Sequence, residues 1–256
     1  MTKSTKQQGF TLVELSIVLV IIGLLIGGIL AAQSMIGTTK VQAFTRQIGQ
    51  FDAAVMNFKD KFGGLPGDTS TMGCTVATNN ACGDNLITSG VTATGLFDSE
   101  VGNFWPNLQT SGFTSEGGGT YTATVTTSFK TIGTAPNSPA GKIGANTGFI
   151  VAGSTAAVVG NSGTAATQNN YYAASWAGMT SSTIAAAAAF TGPDALAIDT
   201  KLDNGVGTTG NVSSFDLTGV LTSTLATNAS VAYVVTNSNP TYGLAIRMGA
   251  TAGNPQ

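Results

Sequence analysis

The sequence predicts an α+β fold, with one long N-terminal helix followed by a globular head built on an antiparallel β-sheet. Three observations predict it. Residues 15–32 form a run of 18 without a charge or a proline. Beyond that run, Val41, Phe44, Ile48, Phe51, Val55, Phe58 and Phe62 recur at alternating spacings of three and four, the pattern of one apolar helix face. After Phe62, Gly, Ala, Thr, Ser and Asn dominate, and short β-prone runs are bounded by Gly, Asn and Pro.

The apolar run comes first. At 1.5 Å rise per residue it spans ~27 Å, close to the ~30 Å hydrocarbon core of a bilayer. Lys3 and Lys6 precede it, and cationic flanks stay cytoplasmic. The N-terminus is therefore expected inside, and everything after the run outside the inner membrane. Glu14 is the single charge from residue 10 to 32. A carboxylate costs ~2.5–3.5 kcal/mol at the centre of a membrane helix and less near its end. A cleaved secretory signal is a poorer reading. It needs a small-x-small site after the apolar stretch, which Gly28-Ile29-Leu30-Ala31-Ala32 matches only loosely, and it has no use for Glu14.

Gly9-Phe10-Thr11-Leu12-Val13-Glu14, between a short Lys-bearing leader and the apolar run, resembles the processing and assembly signal of the type IV pilin family. That family includes the pseudopilins of type II secretion. The resemblance implies that a prepilin peptidase removes residues 1–9 by cutting after Gly9, and N-methylates Phe10. It implies that Glu14, fifth in the mature chain, neutralises the amine of Phe10 in a neighbouring subunit. Pairing offsets the cost of burying each charge alone and fixes the axial register of the joining subunit. The implied partners are further copies of the chain in a helical homopolymer, the peptidase, the pilus assembly machinery, and the inner membrane before assembly. The implied location is the inner membrane, then an extracellular pilus or a periplasmic pseudopilus.

The helix continues beyond the membrane. No proline interrupts residues 10–62, so one helix of ~80 Å is expected. Residues 10–32 would form the transmembrane segment and filament core. Residues 33–62 are amphipathic and would lie against the head, with Gln42, Arg46, Gln50, Asp52, Lys59 and Asp60 at the non-apolar positions. Gly23 and Gly27 allow close helix approach. Many family members have a proline near Ala31; here Gly27-Gly28 is the expected place for the helix to bend or melt on assembly. Gly63-Gly64-Leu65-Pro66-Gly67-Asp68 ends the helix with a left-handed stop and a following proline. A Leu-Pro-Gly-Asp stretch at this point is similar to one in a large group of pilin-like proteins.

Residues 63–256 are enough for one sizeable core. Apolar runs at 121–129, 147–159, 229–236 and 242–248 are expected as strands. Residues 182–190, with five alanines in a row, are expected as a short helix. A second helical piece is expected over 194–202, ending near Asn204-Gly205. Cys74 and Cys82 are the only cysteines and flank a seven-residue loop in an oxidising compartment, so a disulfide is expected. Closing that loop is worth about 2.5 kcal/mol in the chain-entropy model. Asn211-Val212-Ser213 and Asn228-Ala229-Ser230 match the N-glycan sequon, a weak signal.

Composition bounds the chemistry. The chain has no histidine, so Ser-His-Asp and Cys-His machinery is excluded. No phosphate-cradling glycine motif follows a plausible strand. No enzyme activity and no cofactor are expected. Two thiols without histidine are too few soft ligands for zinc. Asp199-Thr200-Lys201-Leu202-Asp203-Asn204-Gly205 has a faint calcium-loop look, but Lys201 stands at a ligand position and no Glu closes the loop. Asp199 and Asp203 are the weak metal candidates, with turn-forming roles as the alternative. Removal of Lys3 and Lys6 leaves 8 basic against 12 acidic residues, a formal −4, so no nucleic-acid partner is expected. The head is large and only 9% of the chain is charged, which suits tight packing between copies. The function classes left are a filament subunit, a type II secretion pseudopilin, and a minor pilin or tip adhesin whose head binds a target.

Overall fold

The computed structural model describes residues 11–72, 74, 82–87, 100–115, 139–143, 147–153, 168–180, 183–216, 231–236 and 239–250. The chain forms an α+β structure. Helix α1 runs from Leu12–Phe62, and contacts divide the chain into two compact units, residues 1–40 and 41–256.

In the first unit the large apolar side chains of α1 are exposed, from Leu12 at 86% to Ile36 at 54%. Among the described residues α1 is the one helix long and apolar enough to cross a membrane. Its hydroxyls turn back onto the helix: Ser16 Oγ donates to the Val13 carbonyl and Thr39 Oγ1 to the Met35 carbonyl, both at 2.9 Å. Such bonds satisfy a hydroxyl without water. The helix continues through Gly27-Gly28, and a Cβ at Gly23, Gly27 or Gly28 would meet nothing.

In the second unit, the remainder of α1 supplies one wall of the core. Val41, Phe44, Ile48, Phe51, Ala54, Val55 and Phe58 are all buried, as the three-and-four spacing predicts. Asp52 departs from that reading. It is buried rather than solvent-facing, because its Oδ1 accepts from the Tyr171 hydroxyl at 3.1 Å and from the Gly249 amide at 2.8 Å. Gln47 is likewise buried, donating to the Ala140 carbonyl at 2.8 Å and accepting from the Lys142 amide at 3.0 Å. Gln47 ties the helix to the 140–142 segment, and Asp52 ties it to Tyr171 of the sheet and to the turn at Gly249, which offsets their desolvation. Gly63, at φ +74°, closes α1 by donating to the Lys59 carbonyl at 2.8 Å, a left-handed cap.

Opposite this wall lies an antiparallel sheet. Its strands are β1 (Thr147–Gly153), β2 (Asn169–Thr180), β3 (Thr183–Ala187), β4 (Val212–Asp216) and β5 (Tyr242–Arg247). The order is β1-β2-β5-β4, with β3 pairing the far part of β2. Phe149 pairs with Ala173, Tyr171 with Ile246, and Ser214 with Leu244. Helix α2 (Glu100–Thr110) contacts β1, and helix α3 (Gly192–Leu202) contacts β4 and β5. Aromatic rings join the layers. Phe51 lies 4.7 Å from Trp105 and 5.1 Å from Phe149, and Phe44 lies 5.5 Å from Phe149. Each such pair adds about 0.5–1.5 kcal/mol beyond its burial. The Trp105 indole N–H donates to the Phe149 carbonyl at 2.9 Å.

Two expectations about the head fail. The helix expected over 182–190 does not form in its described part, 183–190: Thr183–Ala187 is β3, and Phe190 bridges to Tyr242. Alanine's helix preference is worth less than about 1 kcal/mol per residue. Against it stand the ladder with β2 and the burial of Phe190, 5.4 Å from Phe44. Residues 231–236, expected to end a strand, form an irregular strap. Two of the four other expectations fit well, β5 within 242–248 and α3 over 194–202. The run 147–159 yields β1 as far as Gly153, and residues 121–129 and 154–159 lie outside the described residues. The sequence reading did not anticipate α2, β2 or β4. The Asn169–Thr180 strand is rich in Asn, Ala and Gly, which carry little β signal.

Candidate functional site

The polar start of α1 is the first candidate. Thr11 is its N-cap and Glu14 its third residue. The Glu14 amide donates to Thr11 Oγ1 at 3.3 Å. In return Glu14 Oε2 accepts from the Thr11 amide at 2.9 Å and from the Thr11 hydroxyl at 2.8 Å. This is a reciprocal capping box, which satisfies helix-end donors that would otherwise lack partners. It also holds the carboxylate at the positive end of the helix dipole. Both bonds converge on Oε2, so the lone pairs of Oε1 can take a further donor. Around this carboxylate Leu12, Val13, Leu15 and Ile17 are exposed. The site is thus one fixed anionic acceptor on an apolar rod. Gly9 and Phe10 lie outside the described residues. Thr11 was missed in the sequence reading, although Thr-x-x-Glu before an apolar run is the signal for such a box.

The second cluster lies where α1 joins the head. In the Leu65-Pro66-Gly67-Asp68 turn, Gly67 has φ +87°, and a Cβ there would collide with the Glu100 carbonyl at the start of α2. Asp68 is buried and accepts from the Gly83 amide at 2.5 Å and the Asn85 amide at 2.8 Å. Burial pushes its carboxyl above the usual range, against the pull of those amides. Cys74 and Cys82 are joined by a disulfide, immediately before the residues that Asp68 holds. Glu100 Oε1 lies 3.6 Å from Cys74 Sγ. A disulfide sulfur carries no proton, so this is a contact and not a hydrogen bond. The two sulfurs and the carboxylate lie within 4.8 Å of one another. Metals are held by thiolates, and in the disulfide neither sulfur is one.

Asp199 and Asp203 sit at the end of α3. Asp199 is buried; its Oδ2 accepts from the Tyr233 hydroxyl at 2.7 Å and its Oδ1 from the Gly205 amide at 3.0 Å. Burial raises its carboxyl, and burial with the Asp199 carboxylate alongside raises the Tyr233 hydroxyl. Asp203 Oδ2 accepts from the Asn211 amide at 2.5 Å and the Val212 amide at 3.4 Å. The two carboxylates gather N–H and O–H donors, the opposite of what a cation needs around it. Their geometry is that of turn-formers closing the α3–β4 loop.

Residues 4–30 match the prokaryotic N-terminal methylation motif, the prepilin signal of type IV pilins and pseudopilins. The match contains Thr11, Glu14 and most of the exposed apolar segment. It supports a pilin-like or pseudopilin protein and implies processing by a prepilin peptidase; together with the apolar helix it fits an inner-membrane precursor. No curated protein and no solved structure matches the chain.

Proposed function

We propose that this chain is a structural subunit of a type IV pilus-like extracellular filament. It enters the inner membrane as a precursor, is cut after Gly9 and N-methylated at Phe10, and polymerises through its N-terminal helix. The single observation that carries the reading is the methylation motif laid over a membrane-length, fully exposed apolar helix with one carboxylate at its start. Such a helix has two stable surroundings, lipid tails or copies of itself. Glu14 neutralises the Phe10 amine of a neighbouring subunit, through the oxygen that its own cap leaves available. Cleavage after Gly9 keeps both capping partners, Thr11 and Glu14, in the mature chain. The cap therefore orients the carboxylate before assembly.

The test is to shear cells that express the full chain, collect the released material, and identify the N-terminal peptide by mass spectrometry. A dominant peptide beginning at methylated Phe10 is the expected result. A processed peptide confined to the cell envelope would indicate a pseudopilin or a minor subunit. A stable protein that retains residues 1–9 would overturn the filament reading.

A further inference from the structure

We infer that Glu100 is the proton acceptor that closes the Cys74–Cys82 disulfide on the folded head: its carboxylate takes the Cys74 thiol proton as that sulfur attacks a mixed disulfide at Cys82. The step belongs to the head alone and stands whether or not the chain enters a filament.

Glu100 opens α2 and is fully buried, with Oε1 3.6 Å from Cys74 Sγ. A carboxylate only accepts, and a disulfide sulfur has nothing to donate. The same contact gains a hydrogen bond once Cys74 is a thiol, because S–H is a donor. Cys74 is buried, whereas Cys82 is half-buried. The nucleophile in disulfide exchange is the thiolate, and a buried thiol has little water to take its proton. Glu100 supplies that acceptor from within the protein, and its carboxylate lies within 4.8 Å of both sulfurs. Residues 63–115 contain no lysine or arginine, and their other acids are Asp68, Asp84 and Asp98. Asp68 accepts from the Gly83 and Asn85 amides and Asp84 from the Leu86 amide; Asp98 lies outside the described residues.

Both arms of the loop are held by bonds other than the disulfide. The Cys74 amide donates to the Thr69 carbonyl at 3.3 Å. Asp68, one residue earlier, accepts from the amides that directly follow Cys82, at 2.5 and 2.8 Å. Two adjacent residues thus pin the two cysteine backbones, so the sulfurs remain neighbours when the bond between them is open. Such positioning lowers the barrier to their reaction. Packing brings in the base. A Cβ at Gly67 would strike the Glu100 carbonyl, so the first residue of α2 rests directly on the turn. The acceptor is assembled only when α2 has docked there. Closure is therefore assisted on a folded head and unassisted on the unfolded chain.

The oxidant is an external disulfide, RSSR. Cys82, the more accessible cysteine, attacks it as a thiolate; the Cys82–SR bond forms and one RS⁻ leaves. The Cys74 proton then passes to Glu100 Oε1 as Cys74 Sγ attacks Cys82 Sγ. The Cys74–Cys82 bond forms, the Cys82–SR bond breaks, and the electron pair departs with the second RS⁻. Glu100 gives up its proton again, and the two protons lost by the cysteines end on the two RS⁻. Two cysteines are oxidised and one RSSR is reduced to two thiols. In the reverse direction the protonated Glu100 returns the proton to Cys74 as the leaving group.

The test uses the full chain in detergent, reduced, freed of reductant and exposed to oxidised glutathione, with samples quenched in acid and read by mass spectrometry. Glutathione should be trapped on Cys82, and its loss reports the closing step. Glu100→Gln should close about 100-fold more slowly at about pH 6. An unassisted thiol gains thiolate tenfold per pH unit below its ordinary value of about 8.5, so the deficit should vanish above about pH 9. Glu100→Asp, which keeps a carboxylate, should recover part of the rate. In concentrated urea all three chains should close alike. Equal rates at the lower pH, a deficit of the same size at both pH values, or glutathione trapped on Cys74 would overturn the inference. Should the variants fail to fold, the unaltered chain decides: its closing rate should rise far less than tenfold per unit over this range, and a full tenfold rise would overturn the role of Glu100.

Discussion

Residues 12–40 and 41–62 belong to one helix, yet they bury opposite fractions of their large apolar side chains. In the first stretch Leu24 is 75% exposed; in the second Phe44, Ile48 and Phe58 are fully buried. Apolar residues surround the first stretch completely, so no single partner face could cover them. The second concentrates them in one stripe that a single sheet does cover. What a helix packs against is thus set by how its apolar residues are distributed around it as well as by how many it has.

The largest expected effect lies in the first stretch. Glu14→Ala should leave membrane insertion and leader removal intact while filament growth collapses. Leaving the partner amine buried and unpaired costs about 3–5 kcal/mol, more than ~100-fold in subunit addition. Normal sheared yield from this variant would break the pairing argument. Next comes the second stretch, where Phe51→Ala should destabilise the head by about 3–5 kcal/mol, read as a shifted denaturation midpoint. Leu24→Ala should leave that midpoint unchanged. Equal shifts from both would show that the two stretches fold as one cooperative unit.

Replacing Cys74 and Cys82 together by Ser should cost about 2.5 kcal/mol, measured by thermal unfolding, and should leave processing at Gly9 unaffected. The helix starts offer a finer comparison. Thr11 caps α1 through Glu14, and Thr191 caps α3, accepting from the Asp194 amide at 3.3 Å and donating to its carboxylate at 2.8 Å. Thr191→Ala should lower head stability by about 1 kcal/mol. Thr11→Ala should spare head melting and show itself in assembly alone. The smallest effect is in pH dependence. Burial raises the carboxyls of Asp199 and Asp68, so the folded head holds these protons to higher pH than the unfolded chain. Stability should fall as pH rises from about 4 through the raised values. Asp199→Asn should flatten that fall in a series of melting curves; an unchanged slope would mean that Asp199 titrates alike in both states.

Much of the functional segment was legible in the sequence because its signals are local. Helical period, membrane length, the Gly stop at Gly63 and the Thr-x-x-Glu box each involve residues a few positions apart, and one of them, the box, was legible but unread. The head was less so. Its Ala-rich segment reads as helix locally and becomes β3, because it pairs with β2, which carries little β signal of its own, and because Phe190 is drawn against Phe44 from far back in the chain. Asp52 occupies a polar position by period, but the Tyr171 and Gly249 donors that bury it are 119 and 197 residues away.

The sequence by itself determined the anchor, the processing signal, the buried stripe of α1 and the place where that helix ends. Each depends on the periodicity of one helix and on backbone preferences at single residues. Only the tertiary structure decided the strand order, the inward turn of Asp52 and Gln47, and the donor shells of Asp68, Asp199 and Asp203. Those features depend on which distant backbone groups are left needing partners once the sheet has formed, and no local pattern encodes that.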